Sequence, residues 1–146
     1  MREILTFKPI GHGTNIGLAL ERLSRVMIRK SVVFLVSDFL GDGYEKPLRT
    51  ANRKHDVIAL KITDPRERSF DSVGLIELED AESGETILVD TASSAFRSAF
   101  DYGARMREET LKRSFDSVDL DYLNIVTNEP YVLPLVRLFK RREKRR

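Results

Sequence analysis

Ser31 to Phe39 reads SVVFLVSDF, and its five consecutive apolar residues, Val32 to Val36, constrain the fold more than any other stretch. The run is too short for a buried helix and rich in β-branched side chains. It predicts a strand covered on both faces, of the kind found in the middle of a parallel sheet. Ser37 and Asp38 follow at once, placing a hydroxyl and a carboxylate at the strand's C-terminal end. In open α/β sheets that end faces the crevice where ligands bind.

Two further apolar runs end the same way. Asp56 to Ile62 (DVIALKI) predicts a second strand, closed by Thr63 and Asp64 before Pro65, and Leu120 to Val126 (LDYLNIV) a third, closed by Thr127 and Asn128. Parallel strands align their C-terminal ends, so Ser37-Asp38, Thr63-Asp64 and Thr127-Asn128 are expected on one rim. Between the strands the periodicity is helical. Ile16, Leu20, Leu23 and Met27 follow a start capped by Thr14 or Asn15, with an end near Arg29 and Lys30. A polar helix from about Tyr44 to Lys54 carries Pro47 in its first turn, and a long helix capped by Ser93 or Ser94 runs to about Phe115. Pro130 opens a last helix through Val132, Leu135, Val136 and Phe139. Leu75 to Leu78 and Thr86 to Val89, around a turn with Asp80, Ser83 and Gly84, predict a hairpin. Met1 to Pro9 fits a broken helix or a short strand equally well. This order predicts an α/β chain: a parallel sheet with helices on both faces and an inserted β-hairpin.

The 146 residues suffice for one domain, and 41% hydrophobic with 33% charged residues describes a globular rather than a disordered chain. No apolar run approaches the roughly 18 residues of a membrane span, the N-terminus lacks a signal-peptide core, and a cytoplasmic location is expected. The absence of cysteine excludes disulfides and thiolate metal sites. Charge is uneven, because Lys140 to Arg146 (KRREKRR) carries six positive and one negative residue and leaves residues 1–139 mildly acidic. That basic end lacks the interleaved aromatics of a base-stacking site and reads as a solvated C-terminal tail, with no nucleic-acid or membrane partner implied.

Thr14 sits among the glycines of GHGTNIG and is expected to reach the rim, since the helix it opens runs antiparallel to the next strand. With Asp38 it forms an oxygen-only pair beside Ser37, suited to a hard cation such as Mg²⁺. The simpler alternative makes Thr14 an N-cap and Asp38 the cap of a turn. In the loop Asp64-Pro65-Arg66-Glu67-Arg68, Arg66 or Arg68 suits an acidic partner surface or a phosphate, against a solvated loop with local ion pairs. His12 is expected on an exposed loop and His55 at a helix end. Neither has metal or catalytic spacing. No G-x-S-x-G elbow or Walker loop occurs, and GHGTNIG does not match G-x-G-x-x-G.

Taken together, GHGTNIGLALERL, RKSVVFLVSDF, HDVIALKITDPRER, GLIELEDAESGETILVDT and NEPYVLPLVRLFKRRE resemble the C-terminal half of a von Willebrand factor A-like domain. The bacterial family concerned is known as domain of unknown function fifty-eight. The resemblance implies a Rossmann-like fold and a metal-ion-dependent adhesion site, in which Thr14 matches the family's threonine and Asp38 its aspartate. The D-x-S-x-S loop of such sites occurs nowhere in this sequence. The first strands and the main half of the site are therefore expected to be missing, and Mg²⁺ is expected to bind this chain weakly or not at all, whatever the full-length protein holds. The resemblance further implies a non-enzymatic protein-interaction module working with a MoxR-type AAA+ ATPase in protein assembly or maturation. Ser37, Asp64, Arg66 and Asn128 would then lie on the partner-binding rim. Without the first strand, Val32, Val33, Phe34, Leu35 and Val36 form an unpaired edge. Self-association as a homodimer is expected there, by pairing across a two-fold axis, unless the N-terminal segment fills the gap. The competing reading is a metal-dependent phosphodiesterase or nuclease using Asp38 and Asp64, with the basic tail holding substrate.

Overall fold

Each of the three apolar runs becomes a strand of one parallel sheet. A computed structural model of the chain describes residues 13–79 and 84–145. The expectations for Met1 to Pro9, His12, and the turn residues Asp80 and Ser83 lie outside the described residues. The elements are α1 (Ile16–Val26), β1 (Val32–Ser37), α2 (Glu45–Lys54), β2 (Asp56–Thr63), a 3₁₀ turn (Pro65–Glu67), β3 (Leu75–Glu79), β4 (Thr86–Asp90), α3 (Ser94–Asp116), β5 (Asp121–Val126) and α4 (Val132–Glu143). The predicted order is thus observed. Of the two candidate caps for α1, Asn15 is used: its Oδ1 accepts from the Leu18 N–H at 2.7 Å. Ser93 caps α3 through the Phe96 N–H.

The strand order is β1-β2-β5, with Val33 beside Val57, Leu35 beside Ala59, and Ala59 beside Tyr122. Side chains alternate between the two faces of a strand. One face presents Val33, Val57 and Ala59, which pack with Leu20 of α1, Leu48 and Ala51 of α2, and Phe115 of α3 in the main core. The opposite face carries Ile58, fully buried, and receives α4, whose Leu138 is buried and whose Phe139 ring meets Phe34 edge-on at 6.2 Å.

Two expectations are corrected. β1 is not covered on both faces: Val32, Phe34 and Val36 are 53%, 49% and 58% exposed. Among the described residues β1 pairs with β2 alone, so it is an edge strand with no neighbour to carry a helix over its outer face. The expected basic tail, 140–146, is also not free over its described residues. Its first four residues continue α4, and Arg142, with a side chain only 14% exposed, donates to Asp121 at 2.5 Å and to Asp56. This guanidinium fastens the helix to the N-terminal ends of β5 and β2.

The hairpin β3–β4 forms its own antiparallel two-stranded sheet, Leu75 opposite Asp90 and Glu79 opposite Thr86. Thr91 anchors its base. Fully buried, its Oγ1 donates to the Gly74 carbonyl at 2.6 Å and accepts from the Val73 N–H at 3.1 Å. His55 stands at the C-terminal end of α2 as expected, but it is buried rather than solvated.

Candidate functional site

The strand register decides what the C-terminal edge of the sheet can bring together. Ser37 pairs in register with Lys61, and Lys61 with Asn124, giving one polar row on the α2 and α3 side of the sheet. β2 and β5 continue past that row, Thr63 lying beside Val126 and the Thr127 N–H donating to the Thr63 carbonyl at 3.0 Å. Asp64 therefore stands beside Thr127. Asp38 is set back by two residues, or about 6–7 Å along the strand. The three hydroxyl-bearing strand ends share an edge as expected but not one level, because β1 stops earlier than its neighbours.

Asp38 and Asp64 each hold their own loop. The Asp38 Oδ1 accepts from the Ser37 hydroxyl at 3.3 Å and the Leu40 N–H at 3.2 Å, while Ser37 Oγ accepts from the Phe39 N–H at 3.1 Å. Asp64 caps the 3₁₀ turn by accepting from the Arg66 N–H at 2.8 Å, and Glu67 returns the contact by accepting from the Asp64 N–H at 3.3 Å. Arg66 and Asn128 are exposed. Arg68 pairs with Glu108 at 3.3 Å, both side chains partly exposed. Thr14 does approach the rim: its carbonyl oxygen lies 3.7 Å from where a Cβ on Gly41 would stand. At Gly17 a Cβ would stand 3.3 Å from the Gly43 carbonyl, so the start of α1 presses closely on the β1–α2 loop.

For a hard cation, Thr14 and Asp38 supply one hydroxyl and one carboxylate. Among the described residues no group of three or more His, Cys, Asp or Glu is placed to hold a metal. The donors suit part of an oxygen shell and do not fit a complete site.

Beneath the rim lies a cleft of about 360 Å³, floored by Lys61 and Thr63, walled by the Asp38–Asp42 loop and Arg68, and roofed by Arg107, Glu108 and Leu111 of α3. A hydrogen-bond chain links β2, β5 and α3 beside it. Thr63 Oγ1 donates to Asn124 Oδ1 at 2.7 Å, Asn124 Nδ2 donates to Glu108 at 3.4 Å, and Glu108 also accepts from Arg68. Sequence reasoning passed over Lys61, Asn124 and Glu108. The usable signal was a polar residue interrupting each of two apolar runs, DVIALKI and LDYLNIV, at positions that the register aligns.

Tyr44, 5% exposed on the cleft wall, has its phenol pushed up to about 12 by burial first and then by Glu45 and Asp42. Burial likewise raises Tyr122, with Glu108 and Asp116 adding to the effect. A phenol whose folded pKa exceeds its unfolded value near 10 supports folding fully below that pH and loses the support as pH rises toward 12. We expect alkaline titration to remove about 2–3 kcal/mol across that window. Tyr44→Phe should flatten the loss when unfolding free energy is measured against pH.

The parallel three-stranded sheet, its flanking helices and the cleft at its C-terminal edge define an α/β protein of partial Rossmann-like form. The family model described as "Protein of unknown function DUF58" matches residues 1–110, and the chain belongs to that family. It is 28% identical over 137 residues to uncharacterized protein MAV169 of Mycobacterium avium, covering 93% of this chain and 80% of the relative. Uncharacterized proteins Rv1480 of Mycobacterium tuberculosis (strain ATCC 25618 / H37Rv) and Mb1516 of Mycobacterium bovis are each 28% identical over 147 residues, covering 99% of this chain. The chain spans 46% of the length of those two relatives. No solved structure matches. Among the described residues no helix is long and apolar enough to cross a membrane.

Proposed function

We propose that this chain is a non-enzymatic protein-interaction module whose principal contact is the free edge of β1. One observation carries the reading: β1 is paired on one side only among the described residues, and its outer face is about half exposed. An edge strand offers a row of N–H and C=O groups to an incoming strand, and apolar side chains on the same strand add burial. Protective devices are absent here, since Val32–Ser37 contains no proline, glycine or charged residue. Exposed Val132, Val136 and Phe139 of α4 extend the apolar surface. The occupant is a second copy, its β1 antiparallel to the first around a two-fold axis normal to the sheet. That arrangement makes a continuous six-stranded sheet and places Val32, Phe34 and Val36 of both copies on one face.

Light scattering across a concentration series should show a dimer for the parent chain and a monomer for Phe34→Lys/Val36→Lys, with the circular dichroism of both unchanged. A parent chain that stays monomeric at the highest soluble concentration refutes the edge contact.

The rim is the second contact in this reading. Ser37, Asp64, Arg66 and Asn128 face a protein partner, for which the family resemblance suggests a MoxR-type AAA+ ATPase. Thr14 and Asp38 contribute to a Mg²⁺ shell that a longer von Willebrand factor A-like protein would complete. Support comes from the DUF58 membership and from the approach of Thr14 to the loop after β1. The enzymatic alternative places Asp38 and Asp64 on a shared metal. No specific observation favours it, since the two carboxylates stand at different levels and each secures its own loop.

A further inference from the structure

We infer that two copies of this chain pair through β1 in one register, with Phe34 opposite Phe34 on the two-fold axis and Lys30 of each copy opposite Asp38 of the other. The inference rests on the association through β1 proposed above and adds what fixes its register and makes it self-selective.

The β1–β2 ladder determines which groups β1 leaves free. The Asp56 N–H donates to the Ser31 carbonyl at 2.8 Å, and Val32 pairs in register with Asp56. In a parallel pair, alternate residues turn both backbone groups toward the same neighbour. Ser31, Val33 and Leu35 therefore face β2, and Val32, Phe34 and Val36 turn their N–H and C=O groups to the open edge. The same three residues carry the exposed side chains of the strand. An incoming antiparallel strand must set residues with free groups directly opposite one another. A shift of one residue sets them against residues already bonded to β2. Centring the pair on Phe34 places Val32 opposite Val36 at both ends, the fullest apolar overlap these three allow.

Charge selects the same register. Arg29 and Lys30 precede the strand and Asp38 follows it, all exposed. Lys30 forms no ion pair among the described residues, and the bonds that Asp38 makes to Ser37 and Leu40 use Oδ1 alone. The centred register brings Lys30 level with Asp38 at both ends. A shift of two residues one way sets Lys30 against Val36 and Asp38 against Ile28; the other way, Lys30 meets Leu40 and Asp38 meets Val32. Parallel pairing would align like charges, which is unfavourable across strands. At alternate positions β1 thus reads Lys-Val-Phe-Val-Asp, a pattern complementary to its own reverse. Exposed ion pairs contribute little each, so the ladder and the apolar burial drive association while the charges choose the register and the partner.

The chain has no cysteine, so introduced ones report the pairing without background. Opposed residues of a hydrogen-bonded pair have Cα atoms about 5.5 Å apart, a span that a disulfide bridges. Under mild oxidation Phe34→Cys should link to itself. Val32→Cys and Val36→Cys should stay unlinked alone and link to each other when mixed, since identical positions there stand about 13 Å apart. In light scattering, Lys30→Glu and Asp38→Lys should each weaken the dimer about tenfold, because each makes both charge pairs repulsive. An equimolar mixture of the two should return to within about threefold of the parent. A parent chain that stays monomeric removes the edge contact and this inference with it. Three results leave the edge contact standing and overturn the register: a dimer in which Phe34→Cys does not link, self-linking of Val32→Cys or Val36→Cys, or mixed charge variants that associate no better than either alone.

Discussion

Replacing Arg142 by methionine is expected to cost the protein about 3 kcal/mol, measured as unfolding free energy in urea. The guanidinium spans two carboxylates, Asp121 at 2.5 Å and Asp56, and all three side chains are at least three-quarters buried. Removing the cation leaves buried negative charge at the ends of β2 and β5. The expected loss sits at the low end for a broken buried pair because Asp121 keeps Arg145 at 3.4 Å and Arg141 at 3.7 Å, both on exposed side chains. A domain of this kind has a total stability of about 5–15 kcal/mol, so the change is a large fraction of the whole. Lysine should not rescue the site, since a single ammonium lacks the fork that serves two carboxylates. Lys140→Ala, on the exposed side of the same turn, should stay within about 0.5 kcal/mol of the parent. If Arg142→Met and Lys140→Ala behave alike, α4 is not held by this cluster.

Arg142 also shows what a charge run conceals. KRREKRR reads as a solvated tail by composition, yet Leu135, Leu138 and Arg142 repeat at three- and four-residue intervals and lie on one stripe of α4. Carrying the helical period into the basic run would have separated the inward arginine from its exposed neighbours. The apolar run by itself did not decide the status of β1, although the family resemblance led to the expectation of an unpaired edge at Val32 to Val36. Five apolar residues suit a central strand or an edge strand that lacks a neighbour, and pairing alone distinguishes the two. The rim failed for a related reason: similar strand endings say nothing of stagger, which follows from the pairing of Val33 with Val57 and from where each strand stops. Lys61 and Asn124 lay between these cases. Their polarity was plain, but their alignment in one row needed the register.

Phe115→Ala should be at least as costly, at about 3–5 kcal/mol, and should reach the candidate site. Phe115 is fully buried, packs edge-on against Phe39 at 5.1 Å and lies tilted against Tyr122 at 5.4 Å; Phe39 in turn meets Tyr44 at 5.7 Å. The ring therefore joins the end of α3 to the loop that follows Asp38. Phe39 holds φ at +58°, a left-handed backbone that costs a bulky residue about 1–2 kcal/mol and persists only when its surroundings enforce it. Deleting the Phe115 ring opens a cavity and removes one wall that keeps Phe39 in place, so the Leu40 N–H donated to Asp38 should exchange faster with solvent. Phe39→Gly and Phe39→Ala separate the two contributions. Both lose the aromatic contacts, but glycine adopts the positive φ freely, so the glycine variant should be more stable than the alanine variant by about 1 kcal/mol. Equal stabilities would show that the loop relaxes out of the left-handed conformation once the ring is gone. In that case the position of Asp38 at the cleft depends on aromatic packing and not on the backbone of its own turn.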